Sequence, residues 1–390
     1  MSIEKLNYTL IDLIKYFLKL GTTGFGGPVA LVGYMHRDLV ENKKWINDSD
    51  FKEGLALSQL APGPLAAQLG IYIGFVHFGV LGATLSGLAF VLPSFIMVVL
   101  LGMAYQAYGG LPWMQAIFYG ISAAVIGIIV LSSYKLTLKS IGKFEIPAIK
   151  ANWLLWTFYI TATILTAVTQ KEEMLLFLAL GFIYMAVKAP PKWIKRPKTA
   201  SLFLLTTAGF STIELGKLGD IAWFFTKAGA FVFGSGLAIV PFLHAGVVNE
   251  YGWLTENQFV DAVAVAMITP GPVVITVAFI GYLVAGFTGA CIAALATFLP
   301  CYLFTVIPAP YFKKISQNKS IKAFVDGITA GVIGALVGAV IVIAVRTIVD
   351  IPTALIAIGT VLILIYTKKI QEPHIIGIAA VLGILIKLIL

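Results

Sequence analysis

An all-α polytopic membrane protein, built as an inverted-topology internal repeat with re-entrant half-helix hairpins, is the fold class this sequence predicts. Three observations predict it. Apolar residues make up 59% of the 390-residue chain and charged residues only 12%, with a mean hydropathy of +0.96; a soluble domain of this length does not have that composition. Second, helix-breaking and aromatic residues recur at a fixed offset. Phe25, Gly26, Trp45, Phe51, Pro62, Gly63 and Pro64 return as Phe233, Gly234, Trp253, Phe259, Pro270, Gly271 and Pro272, an offset of 208. One deleted residue later, Gly79, Gly82, Pro93, Gly120 and Gly127 return as Gly286, Gly289, Pro300, Gly327 and Gly334, an offset of 207. Helix breakers repeated in two halves of an apolar chain point to a site between the repeats. Third, basic residues alternate between loops as an inverted repeat requires.

In the first half the Gly/Pro motifs separate short apolar pieces at 11–24, 28–41, 51–60 and 64–78. At 1.5 Å per residue such a piece reaches about 21 Å, short of the roughly 30 Å hydrocarbon core, so these are half-helices. Stretches long enough to cross lie at 81–104, 111–134, 152–169, 172–188, 287–308, 321–345, 352–367 and 373–390, near the ~20 residues a span needs. A shorter stretch at 200–213 reads as a connecting helix. The organisation is therefore a first repeat over 8–190, a connecting helix within 191–220 and a second, inverted repeat over 221–390. Gly327 with Gly331, and Gly334 with Gly338, read as helix-packing surface.

If each pair of half-helices turns back, Arg37, Lys43, Lys44 and Lys52 share one side with Lys135, Lys139, Lys143 and Lys150, and with the cluster from Lys188 to Lys198. The connecting helix then flips the second half. Accordingly, the segment 244–261 has no Lys or Arg, while Lys313, Lys314, Lys319 and Lys322 occupy the counterpart of the uncharged first-half loop. Lys171, Lys217, Arg346 and Lys387 fall on the opposite side. The excess marks the cytoplasmic face and places the N-terminus there. The net charge of +9 is thus topological, and no nucleic-acid partner is expected. No cleaved signal is expected either. Cys291 and Cys301 share one apolar segment and read as small buried hydrophobes.

The residues carry a family resemblance. Lys19-Leu20-Gly21, Phe25-Gly26-Gly27-Pro28, Trp45 and Gln59-Leu60-Ala61-Pro62-Gly63-Pro64 closely resemble the chromate ion transporter family. The second half carries the degenerate copy usual in its two-domain members, Phe233-Gly234-Ser235-Gly236 and Thr269-Pro270-Gly271-Pro272. The resemblance implies a multi-pass plasma-membrane transporter that expels chromate and confers chromate resistance, with sulfate as the closest analogue. Lipid bilayer is then the surrounding partner, and a homodimer is a candidate assembly. The second copy departs from the first where Ser235 and Gly236 replace Gly27 and Pro28 and Met267 replaces Gln59, which sets the two halves apart.

A tetrahedral dianion needs hydrogen-bond donors and positive potential. A helix start presents unpaired N–H groups and the positive end of the dipole, and glycine lets an oxyanion approach that backbone. Pro28 and Pro64 suit the first helical position. The candidate substrate site is therefore Gly26, Gly27, Pro28, Pro62, Gly63 and Pro64 with Gly234, Ser235, Gly236, Pro270, Gly271 and Pro272; tight turning and close helix contact are the alternative role for these residues. Lys19 and Lys227, in register inside half-helices, join it as charge partners, with snorkelling as the alternative. Lys19 lies about 12 Å along its helix if Ile11 marks the surface. Lys15 reads as snorkelling. Gln68 and Thr276, one turn past the corners, are candidate hydrogen-bond donors to substrate. Candidate coupling residues are Glu53 and Asp261, read as opening the second hairpin of each half, and His36 and His244 near the outer ends of theirs.

There is no phosphate loop of the Gly-x-x-x-x-Gly-Lys-Ser/Thr type, no zinc motif and no complete dinucleotide fingerprint, so no cofactor, metal or catalytic residue is expected. Transport is gradient-driven, by relative movement of the halves around a central site. The competing classes are a sulfate or oxyanion channel, an uptake carrier without chromate specificity and, with only two apolar-segment cysteines for a redox centre, a membrane-embedded reductase.

Overall fold

A computed structural model describes residues 8–25, 27–170, 174–191, 216–232, 236–312, 318–367, 370 and 372–389. Its described elements are helical, with no strand among them. Five helices are long and apolar enough to cross a membrane, and shorter apolar helices accompany them. This is a multi-pass membrane protein. The stretch 200–213 lies outside the described residues.

The first half opens with α1 (Leu10–Thr23), started by a capping box in which the Asp12 amide donates to Thr9 Oγ1 and the Thr9 amide to Asp12 Oδ2, satisfying donors that a helix start leaves unpaired. Then come α2 (Gly27–Met35), which widens into a π-helical turn at His36–Asn42, and α3 (Asp48–Leu60), capped by Asn47. The hydrogen-bonded run of α4 (Leu65–Tyr108) is broken at Phe78 and Gly79. Gly79 takes φ 63°, ψ −154°, backbone that only glycine adopts without strain. Beyond it the chain folds back, setting Gly74 against the carbonyl of Gly82 and Ile71 against Gly87. Thus residues 65–77 form the half-helix that the sequence predicts, and residues 80–108 the spanning arm. Along that arm Leu81, Leu88, Leu92, Ile96 and Leu100 stand exposed, a helical stripe fit for lipid. Next are α5 (Pro112–Ser140), a short α6 (Ile146–Ala151) that the apolar pattern does not predict, α7 (Trp153–Thr169) and α8 (Met174–Lys188).

The second half runs through the same kinds of element. α9 (Gly216–Ala230) begins inside the segment assigned to the connector; a 3₁₀ turn at Gly236–Ile239 leads into α10 (Val240–His244) and a π-helical turn at Ala245–Glu250. α11 (Glu256–Ile268) follows, then a 3₁₀ turn at Val273–Ile275 and α12 (Thr276–Val306). α12 breaks at Ala285 and at Gly286 with φ 61°, ψ −155°, nearly the angles of Gly79. α13 (Lys319–Thr347), α14 (Ile351–Tyr366) and α15 (Glu372–Ile389) complete the chain.

The halves exchange helices. α5 packs against α14 and α15 of the second half, whereas α13 packs against α7 and α8 of the first. Glycines permit both crossings: Gly120 meets the Ala379 carbonyl and Gly383, Gly127 the Ala357 carbonyl, Gly327 the Leu180 carbonyl and Gly181, and Gly334 the Tyr159 carbonyl. Gly331 and Gly338 line the same face of α13. Small residues let backbones approach where lipid offers no hydrophobic drive to associate. Gly383→Ala sets a methyl group into the Ala116 carbonyl and is expected to cost about 1–3 kcal/mol by overpacking, read as a lower melting temperature in detergent. Gly377→Ala on the same helix, where a methyl group meets nothing within 4 Å, is expected to leave the melting temperature unchanged or raise it.

Candidate functional site

Each of the two Pro-Gly-Pro corners is held by the other half of the chain. The Gly63 amide donates to the Val232 carbonyl at 2.6 Å, and the Gly271 amide to the Gly24 carbonyl at 3.0 Å. Donors Gly63 and Gly271 are 208 apart in sequence, as are acceptors Gly24 and Val232. Both acceptors lie at the broken C-terminal ends of α1 and α9, just before the Phe-Gly motifs. Two side chains 207 apart complete the cross. Ser94 Oγ, from the spanning arm of α4, donates to the Pro270 carbonyl at 2.7 Å and lies against Gly271; Cys301 Sγ, from α12, lies against Gly63. Gly63 and Gly271 have φ of 144° and 97°, so glycine is required there both by conformation and by space.

Both candidate donor side chains are turned to their own corners. Gln68 is fully buried, and its Nε2 donates to the Pro62 carbonyl at 2.8 Å, leaving Oε1 without a partner. Thr276, also fully buried, donates to the Val273 carbonyl at 2.7 Å. Pro64 occupies the position before the first helical residue of α4 rather than that residue itself, and Pro28 is the second residue of α2. Neither Pro64 nor Pro272 offers a capping side chain to the helical turn it opens. Gly27 takes φ 73° with open space where a side chain would stand. Gly236 is buried against Val273 and Val274. Gly26, Gly234 and Ser235 lie outside the described residues.

The two lysines have different settings. Lys19 is exposed and lines an open cavity of about 660 Å³ together with Lys15, Arg37 and Lys43; Gly24, which holds the second-half corner, lies on its wall. Lys15 faces the same space one turn earlier. Lys227 is half-buried, its ammonium 5.6 Å from the Trp223 ring centre, and does not line that cavity.

The carboxylates correct the sequence reading of the second hairpins. α3 and α11 begin at Asp48 and Glu256, not at Glu53 and Asp261. Those helix-opening acids are the partners of the repeated histidines: His36 Nε2 is 3.3 Å from Asp48 and His244 Nε2 is 2.7 Å from Glu256. Each histidine also stands edge-on to a phenylalanine, Phe51 or Phe259. Arg346 adds a second ion pair to Glu256 at 2.8 Å. Glu53 is half-buried beside Tyr72. Asp261 is buried within α11 and accepts from Tyr105 Oη at 2.7 Å and Ser122 Oγ at 3.2 Å, both in the first half. Cys301 is fully buried, but Cys291 is partly exposed, and neither is in a disulfide.

Sequence reasoning missed Ser94, Tyr105 and Ser122. Ser94, a hydroxyl beside Pro93 in a spanning helix, carried a signal in its offset from Cys301; nothing local marks Tyr105 or Ser122.

Broken helices whose tips are held crosswise between two helix-exchanged halves, under an open basic cavity, define a multi-pass membrane transport protein. The chain belongs to the chromate transporter family, whose model matches residues 11–186 and again 219–384. It is 62% identical over 381 residues to a chromate transport protein of Cupriavidus metallidurans, covering 97% of this chain and 93% of the relative. It is 56% identical over 384 residues to a probable chromate transport protein of Synechococcus elongatus, covering 97% and 96%. A chromate transport protein of Pseudomonas aeruginosa is 30% identical over 341 residues, covering 84% and 79%. No solved structure matches the chain.

Gly271→Ala places a methyl group into Ser94 at a left-handed backbone position. It is expected to lower stability by about 1–3 kcal/mol and to abolish chromate transport in proteoliposomes, whereas Gly359→Ala, open on all sides, is expected to retain both.

Proposed function

We propose that this protein is a secondary carrier that exports chromate across the plasma membrane and thereby confers chromate resistance. Chromate transport follows from family membership and from near-full-length relatives named for it. The direction and the plasma membrane rest on the resemblance, and the cytoplasmic N-terminus on the charge distribution. Sulfate, another tetrahedral dianion of similar shape, is the expected competing substrate. A homodimer is the candidate assembly.

The observation that carries the site assignment is the reciprocal seating of the two corners. Each half lends its broken helix end to hold the other half's Pro-Gly-Pro turn, and Gly24 connects that crossing to the basic cavity. Helix starts without a capping side chain direct positive dipole ends toward the crossing, and Lys19 supplies a full charge on the way in. The substrate site is accordingly Lys19, Gly26, Gly27, Pro28, Pro62, Gly63 and Pro64, with Lys227, Gly234, Ser235, Gly236, Pro270, Gly271 and Pro272 as their counterparts. Gln68 and Thr276 brace the corners from the adjoining turns. The matching breaks at Gly79 and Gly286 and the matching cross-bonds support an inverted repeat, with units 8–190 and 221–390 joined through 191–220. Relative movement of these units exposes the crossing to each side in turn. Asp261, buried between the halves with neutral hydroxyl donors, and Glu53, His36 and His244 are the candidate coupling groups.

Purified protein in proteoliposomes is expected to show saturable chromate uptake, with counterflow when chromate or sulfate is loaded inside. Current that is insensitive to trans substrate would identify a channel instead. Lys19→Ala is expected to cut saturable chromate transport at least tenfold while the protein stays monodisperse in detergent. Unchanged transport would remove Lys19 from the site.

A further inference from the structure

The cavity over α1 and α2 is not a general feature of the repeat. Four cations line it: Lys15, Lys19, Arg37 and Lys43. Two carboxylates line it as well, but both are engaged, Asp12 in the α1 capping box and Asp38 with Arg37 at 2.9 Å. Lys15 and Lys19 have no ion-pair partner among the described residues, and the Lys43 ammonium rests on the Trp45 ring, 4.4 Å from its centre. In the same wall the buried Tyr16 hydroxyl makes no hydrogen bond within 3.5 Å and lies near the Asp38 carboxylate.

At the positions 208 further on, Lys15, Tyr16, Arg37 and Lys43 become Trp223, Phe224, Ala245 and Tyr251. The corresponding space is packed with rings. Phe224 stacks on Phe242 at 5.2 Å, Tyr251 stacks on Trp253 at 4.4 Å, Trp253 meets Phe224 edge-on, and Gly246 lies directly against the Phe224 ring. One copy is an open basic chamber, and the other is a closed aromatic plug.

We propose that the first-half cavity is a capture site for tetrahedral dianions, separate from the central corners, in which Lys15, Lys43 and the Tyr16 hydroxyl hold the ion before it passes Lys19 and Gly24. The chain carries this site in one half only. Four cations against two carboxylates leave the walls net positive, and such a wall concentrates a counter-ion and raises its rate of entry by ten- to a thousandfold. Three ammonium groups facing one space hold a dianion in preference to chloride, whose single charge gains less from each. This inference rests on the carrier reading, and its test separates the two.

The probe is chromate, and the readout is initial transport by reconstituted protein over a range of ionic strength. Lys15→Gln/Lys43→Gln is expected to raise KM for chromate about tenfold, to leave Vmax at saturating chromate within twofold, and to flatten the salt dependence. Lys15→Arg/Lys43→Arg is expected to restore KM. Lys135→Gln/Lys139→Gln, the same charge change outside the cavity, is expected to leave KM unchanged. An unaltered KM in Lys15→Gln/Lys43→Gln, or a loss confined to Vmax, overturns the capture site. Wild-type protein that moves no chromate overturns the carrier reading itself.

Discussion

The structure depends on a reciprocal pair of backbone hydrogen bonds, from Gly63 to Val232 and from Gly271 to Gly24. In hydrocarbon, every backbone polar group must find a partner inside the protein, so a helix can break there only where something else satisfies its ends. Each half leaves one carbonyl unpaired at the end of its first helix and one amide unpaired at its Pro-Gly-Pro corner. Neither half satisfies both by itself. Crossing the two halves does, and it joins four broken helix ends in two pairs. The requirement that permits the breaks therefore also ties the two proposed units together at the corners assigned to the proposed site.

The helix exchange reinforces that coupling. Because α5 lies among the last helices of the second half and α13 among α7 and α8 of the first, neither half encloses its own long helix. Glycine at the crossing points, rather than apolar bulk, sets how closely these helices approach. Buried Asp261, bonded to hydroxyls of the first half, adds a polar tie at the same boundary. It lies where a change in protonation would be felt by both halves.

The two copies share a backbone plan but not a surface chemistry. The broken hairpins, the π-helical turns and the histidine–carboxylate pairs occur in both. Yet the space that is basic and open in the first half is filled by Phe224, Phe242, Tyr251 and Trp253 in the second. Backbone geometry has to be kept in both halves for the corners to cross, whereas side chains lining the two spaces are free to diverge, and here one space is open and basic and the other packed with rings.

Much of this was legible in the chain before folding. Apolar runs of about 20 residues marked the spans, and Gly79, Gly286 and the Pro-Gly-Pro turns marked the breaks, since conformational demands of this kind are local and leave residue-type signatures. The positions of Glu53 and Asp261 as helix-opening residues were misread because helix starts depend on the caps at Asn47 and Thr255, several residues earlier. The sequence places Lys15 as a snorkelling side chain; the cavity it lines is completed by Tyr34 and the segment from Arg37 to Trp45, beyond the reach of local pattern. Ser94 against Gly271, Cys301 against Gly63, and Tyr105 and Ser122 on Asp261 join residues more than 130 positions apart. Sequence alone determined the class of protein and the broken helices, because hydropathy and backbone strain are written residue by residue. Only the tertiary structure decided which amide meets which carbonyl and which mouth stands open, because those outcomes depend on how two halves pack together.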